Sequence, residues 1–152
     1  MNVLLDGLDM FQIQQPVIEN DGTKETKVIT GYSREKEFED KDWTGLKVNT
    51  GEKDSLEYLI EDNINEYGFS INPIVLYDAQ DTRFSLIHYI LSKMPSWSVD
   101  TNDVDPLVRR TKIQINEDNI NLYALLTSVI GPKAECLFLF DTLNRKIKVV
   151  SK

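Results

Sequence analysis

The spacing of apolar and polar positions changes period along this chain, and each change predicts an element. Residues 8–18 set Leu8, Met10, Phe11 and Ile13 among polar glutamines at a two-residue period with one slip, which predicts a strand. Asn20-Asp21-Gly22-Thr23 follows, and Asp-Gly accepts the positive φ angles of a tight hairpin turn. Residues 24–32 alternate through Thr26, Val28 and Thr30 as the return strand. Ser33 is placed to cap a short charged helix beginning near Glu35. Residues 43–49 alternate through Leu46 and Val48 and predict a further strand. Residues 52–60 fit two readings: Leu56, Leu59 and Ile60 suit a helix, while Tyr58 with the nearby β-branched Ile60 suits a strand. Residues 63–73 are rich in Asn, Gly and Pro and predict a loop or linker.

The second half has longer periodic runs. Residues 74–77 form a short apolar strand or packed linker. Asp81 or Thr82 caps a helix over residues 83–93, with Phe84, Ile87, Ile90, Leu91 and Met94 on one face and Pro95 as its stop. Trp97 and Val99 predict a brief strand, and residues 111–115 another. Asn116 or Asp118 then caps a helix over residues 120–130, with Leu122, Leu125, Leu126 and Val129 inward and Gly131-Pro132 as its end. Residues 135–140 and 145–150 pair as a hairpin across residues 141–144. The predicted class is α+β, a β-hairpin-rich N-terminal part followed by a β-α-β-α-β-β part. The expected division is a β-rich subdomain over 1–62, a linker over 63–80 and an α+β subdomain over 81–152.

Composition narrows the function classes. The chain has 152 residues, 41 % hydrophobic and 28 % charged, which suits a folded globular protein with a real core. No apolar run reaches the roughly 18 residues of a spanning helix, so no membrane insertion is expected. The net charge of −8 is uneven: residues 1–70 carry 16 acidic and 7 basic side chains, residues 71–152 carry 9 and 10. An acidic chain without a basic, aromatic-interleaved stripe repels phosphate backbones, so no nucleic-acid partner is expected. The acidic half reads as solvated surface or as a face for a basic partner.

Candidate chemistry is sparse. Cys136 is the only cysteine, which rules out an internal disulfide, and its Leu-Phe-Leu neighbours mark it as a small core residue. His88 is the only histidine and reads as structural; a Cys136–His88 nucleophilic pair would need an exposed thiol. Asp100, Asp103 and Asp105 cluster as calcium ligands do, but the glycine and terminal glutamate of the helix–loop–helix calcium pattern are missing. Glu35, Glu37 and Glu39 lie in a lysine-interrupted polar run without the apolar surroundings of a glycosidase acid. Trp43 and Trp97 read as core anchors, or as interface anchors wherever exposed. There is no phosphate-binding glycine loop, nucleophile elbow or His-Glu-x-x-His helix. No catalytic, cofactor-binding or metal residue is assigned, no cofactor is expected, and the chain reads as non-enzymatic.

Five segments carry a resemblance by their order and spacing: TKVITGYSREKEF leading to GLKVNTG, then NPIVLYD, SLIHYILSKMPSWSVDTNDVDP and ECLFLFDTLNRKIKVV. Over residues 10–152 the chain resembles the N-terminal hub region of the minor structural, tail-associated (endopeptidase-tail-like) protein of long-tailed phages and prophages of Gram-positive bacteria. That resemblance implies a baseplate-hub module at the virion tail tip, assembled in the host cytoplasm and homotrimeric in the full-length protein. It also implies contacts with the distal tail protein and the tape-measure end. The family's earlier strands and its downstream peptidase or wall-degrading module are expected to lie outside this chain, which then reads as an excised hub domain or a truncated prophage relative. Two rival readings remain at this level. One is a small acidic prophage-encoded inhibitor or adaptor that binds a host protein. The other is a hydrolase built on Cys136 or on the Asp100–Asp105 loop.

Overall fold

The computed structural model describes residues 35–152 throughout and, before them, the backbone of strand residues 2–5, 9–13, 17–18, 27–28 and 31–33. Strands β1 (Asn2–Leu5), β2 (Asp9–Ile13) and β5 (Gly31–Ser33) form a three-stranded antiparallel sheet in the order β1-β2-β5. β3 (Val17–Ile18) pairs antiparallel with β4 (Lys27–Val28), so the two arms of the expected hairpin do run against one another. Its turn at Asn20–Thr23 lies outside the described residues. Ser33 ends β5 and is not the cap of α1 (Lys36–Glu39); Glu35 holds that position without a side-chain bond.

β6 (Asp42–Val48) pairs antiparallel with β7 (Ile115–Asn121), from Asp42 opposite Asn121 to Val48 opposite Ile115. Leu46 and Val48 point into the core at the two-residue period of a half-buried strand. Segments on either side of the 63–80 stretch therefore share a sheet, although only the first of them was expected as a strand. Residues 116–121 were expected to cap and open a helix, but their backbone groups pair with β6. Asn121 takes over as cap, its Oδ1 accepting the Ala124 N–H at 2.8 Å.

The helical stretch that follows has three parts: α4 (Leu122–Ala124), a π segment (Leu125–Ile130) and α5 (Gly131–Ala134). Gly131-Pro132 does not end it. Proline lacks only an amide hydrogen that the first turn of a helix leaves unpaired, so Pro132 opens α5. The stop is Glu135, left-handed at φ 54°, whose N–H reaches back to the Gly131 and Pro132 carbonyls. Gly131 is needed for space: a Cβ there would meet the Cys136 carbonyl at 3.1 Å and that of Leu126 at 3.2 Å.

In the 52–60 segment the helix reading holds as the single turn α2 (Leu56–Leu59). The helix predicted over residues 83–93 is shorter than its pattern. Asp81 caps a 3-10 turn at Thr82–Phe84, Ser85 is extended, and α3 covers only Leu86–Leu91. The break has a cause. Val75 donates to the Phe84 carbonyl and accepts from the Leu86 N–H, so residues 74–77 claim the groups a continuous helix would use. The opposite side of this segment takes the Thr111 and Arg109 carbonyls. Of the strand expected over 111–115, residues 111–114 make only a single bridge, Val75 to Lys112, while Ile115 opens β7; the one at Trp97–Val99 is a single bridge from Ser98 to Lys146.

β8 (Cys136–Asp141) and β9 (Lys146–Ser151) form the closing antiparallel hairpin, with Cys136, Phe138, Phe140, Ile147 and Val149 inward. Phe38 on α1 sits fully buried against this hairpin and the 94–97 turn, edge-on to Trp97 at 4.8 Å and to Phe140 at 5.3 Å. One apolar cluster runs from Phe38 to Val149, through the linker residues Ile74, Leu76 and Tyr77. The combination of helices and antiparallel sheets makes the fold α+β. Among the described residues no helix is long and apolar enough to cross a membrane.

Candidate functional site

The side chains with chemical potential are already engaged elsewhere in the fold. Cys136 is 1 % exposed at the start of β8, and its burial pushes the thiol up to about 11, Lys152 opposing weakly. Deprotonation at neutral pH is therefore negligible. His88 stacks on Tyr77 at 5.3 Å, with Nδ1 2.7 Å from Ser85 Oγ. Burial lowers its pKa, and the nearby Asp78 carboxylate offsets part of that. Among the described residues no contact joins Cys136 to His88.

The three loop aspartates are all engaged in holding the local fold. Asp100 and Asp103 cap the 3-10 turn Thr101–Asp103, and Asp100 also pairs with Lys146. Asp105 accepts the Leu107 N–H at 3.0 Å and both the Oγ–H and N–H of Ser151, at 2.7 and 3.2 Å, fastening the 98–105 segment to β9. The Ser151 hydroxyl chiefly holds the Asp105 carboxyl below its usual range. No group of three or more metal-ligating side chains among the described residues is arranged around one point.

The glutamates of the charged run also separate. Glu39 lies 3.8 Å from Lys36 on the surface, whereas Glu37 is half-buried. Its carboxylate accepts the Trp97 indole N–H at 2.8 Å and the Arg145 guanidinium at 2.9 and 3.3 Å. This triad lines a cleft of about 410 Å³ with Lys41, Lys93 and Met94. Trp97 is buried as expected of a core anchor, while Trp43 is half-buried beneath the Lys93 ammonium, 4.7 Å from its ring centre. By bonding both an indole and a guanidinium, the Glu37 side chain braces α1 against the 94–97 turn and the closing hairpin.

The feature that sequence reading missed is in the segment read as a linker. Asn65 Oδ1 accepts the N–H groups of Tyr67 (2.8 Å) and Phe69 (3.0 Å), and its own N–H donates to the Phe69 carbonyl at 2.8 Å. The Ile71 N–H donates to the Asn63 carbonyl at 2.7 Å, and Gly68, at φ 86°, supplies the left-handed position of the turn. Lys53 Nζ donates to the Gly68 carbonyl at 2.8 Å. At the base, the buried Asn63 amide donates to the Glu57 and Asn72 carbonyls and accepts from the Asn72 N–H. Residues 63–71 are thus a fixed hairpin. It nevertheless displays Tyr67 (76 % exposed), Phe69 (62 %) and Ile71 (55 %), with Leu59 (64 %) and Ile64 (36 %) beside them.

Beside the hairpin runs a polar cleft of about 490 Å³ lined by residues 70–73 and by Asn49, Glu57 and Gln114. The Glu57 carboxylate accepts the Asn49 and Gly51 N–H groups at 2.7 and 3.1 Å. Asn49, left-handed at φ 56°, donates to the Ile74 and Ile113 carbonyls and accepts the Ile74 N–H. One amide here stands in for a missing strand between residues 74 and 113. The visible signal for the hairpin was four large apolar residues, Ile64, Tyr67, Phe69 and Ile71, inside an Asn/Gly-rich loop that gave them no periodic face.

No family model matches this chain, and neither a curated protein nor a solved structure matches it.

Proposed function

We propose that this chain is a non-enzymatic structural module of a phage or prophage tail tip, a baseplate-hub region that works through protein–protein contacts. The hub assignment rests on the order of the five sequence segments. The observation that carries a contact function is the rigid hairpin over 63–71, which holds large apolar side chains in water while Cys136, His88, Glu37 and the loop aspartates serve the fold. Large exposed apolar groups on a fixed backbone contribute little to stability and suit an interface. In this reading the full-length protein is a homotrimer in the virion, built in the host cytoplasm, that meets the distal tail protein and the tape-measure end. Antibodies against the chain should decorate the tail tip of particles in electron micrographs. Particles that carry no label, with the protein left wholly in the host lysate, would refute the assignment.

A second reading, an acidic adaptor for a host protein, draws on the exposed carboxylates of Glu52, Asp54, Glu61, Asp62 and Glu66, close together in sequence around the hairpin. It predicts a complex with a host protein in infected cells and no incorporation into particles.

A further inference from the structure

We infer that the 63–71 hairpin, with Leu59 beside it, is a docking element for a partner protein whose surface offers an apolar depression rimmed by Lys and Arg side chains. The inference rests on the reading of the chain as a contact module and names the surface and the chemistry that meets it.

Rigidity is the first support. The turn is closed by the Asn65 side chain, three backbone bonds and Lys53, and its base by Asn63, so Tyr67 and Phe69 are presented on an ordered backbone before any partner arrives. A preorganised aromatic pair loses little conformational freedom on binding, and aromatic side chains dominate interface hot spots.

Charge is the second support and selects the occupant. Residues 52–71 carry five exposed carboxylates and one exposed cation, Lys53, whose ammonium is engaged by the Gly68 carbonyl. Lys47 lies against Glu52 and Asp54, and Arg83 lies 3.6 Å from Asp62. Among the described residues no cation pairs with Glu61 or Glu66, which flank the apolar groups. A second copy docked through the same hairpin would set these carboxylates against their own kind, because a two-fold interface is self-facing. A basic rim instead complements them, speeds encounter and weakens with salt.

The test uses a short amphipathic leucine–lysine peptide as probe and its leucine–glutamate counterpart as control, followed by amide resonances of the whole chain. The lysine peptide should shift residues 59–71 and bind at least tenfold more tightly than the glutamate peptide. Phe69→Ser and Tyr67→Ser should each weaken it by about thirtyfold, the scale of a hot-spot truncation, with unfolding midpoints unchanged because both rings are exposed. Glu61→Lys with Glu66→Lys should reverse the peptide preference, a readout that does not depend on the aromatic variants. The inference is overturned by shifts confined to other surfaces, by equal affinity of wild type and variants, or by binding of neither peptide. Concentration-dependent self-association abolished by Phe69→Ser would overturn it too, since the occupant would then be a second copy. A Tyr67 ring inaccessible in the free monomer would do the same, with the chain covering its own hairpin. If Phe69→Ser still enters virions at wild-type level, the tail-tip reading stands and the hairpin's role falls.

Discussion

Replacing Asn49 by alanine should unfold this protein more readily than any truncation of an exposed polar residue. The side-chain amide makes three bonds to backbone: to the Ile74 carbonyl at 2.8 Å, to the Ile113 carbonyl at 3.0 Å and from the Ile74 N–H at 2.9 Å. Ile74 and Ile113 are both buried. Alanine leaves one donor and two acceptors without partners, and an unsatisfied buried group costs about 1–3 kcal/mol. The polar cleft alongside admits water to some of them, so about 3 kcal/mol is expected from the amide. The left-handed backbone adds about 1 kcal/mol, because asparagine tolerates φ 56° better than alanine does. Asn49→Ala should therefore cost about 4 kcal/mol and Asn49→Gly about 3, on the order of 10 °C in Tm for alanine in a domain of this size. Urea unfolding followed by circular dichroism reads both, with equal denaturant dependence expected for the two variants. A cost below about 1 kcal/mol for alanine would show that the amide does not replace a strand here. A glycine variant no better than alanine would remove the backbone part of the argument.

Three further outcomes follow from the packing and the titrating groups. Phe38→Ala should cost about 3–5 kcal/mol by calorimetry or urea titration, since it empties a buried site shared with Trp97 and Phe140; a loss under 1 kcal/mol would mean α1 is not part of the core. Cys136 should react with a thiol reagent at pH 8 roughly a hundredfold more slowly in the folded protein than in urea, because a thiol near 11 is almost wholly protonated there, and equal rates would contradict its burial. His88, with its folded pKa lowered by burial, binds its proton more weakly folded than unfolded, so stability should fall as pH drops below about 6.5 until the folded group itself protonates. His88→Gln should flatten that part of the stability–pH curve, and an unchanged slope would contradict the assignment.

Local pattern was enough where an element's partner lay next to it in sequence. Cys136, Phe138 and Phe140 alternate against Ile147 and Val149 across a short turn, and the closing hairpin was legible to within a residue. Pattern failed where a distant segment claimed the backbone. Ile120 and Asn121 carry a helix-like spacing, yet Trp43 and Asp42, far earlier in the chain, hold them as strand. Ser85 interrupts a good amphipathic helix because Val75 takes its neighbours' hydrogen bonds. The Asn49 amide and the 63–71 hairpin could not be read at all, since their order comes from side-chain-to-backbone bonds that leave no periodic trace. The chemical residues were easier to judge: Cys136 had an apolar neighbourhood in sequence and has one in space.

The tail-tip proposal has this chain act by touching tail proteins. Its most direct measurement is the sedimentation mass of the purified protein mixed with the distal tail protein encoded in the same genome. A defined complex, larger than either component and weakened by added salt, is the result this account predicts. Two components that sediment independently at all concentrations, or a genome with no tail genes beside this one, would contradict it.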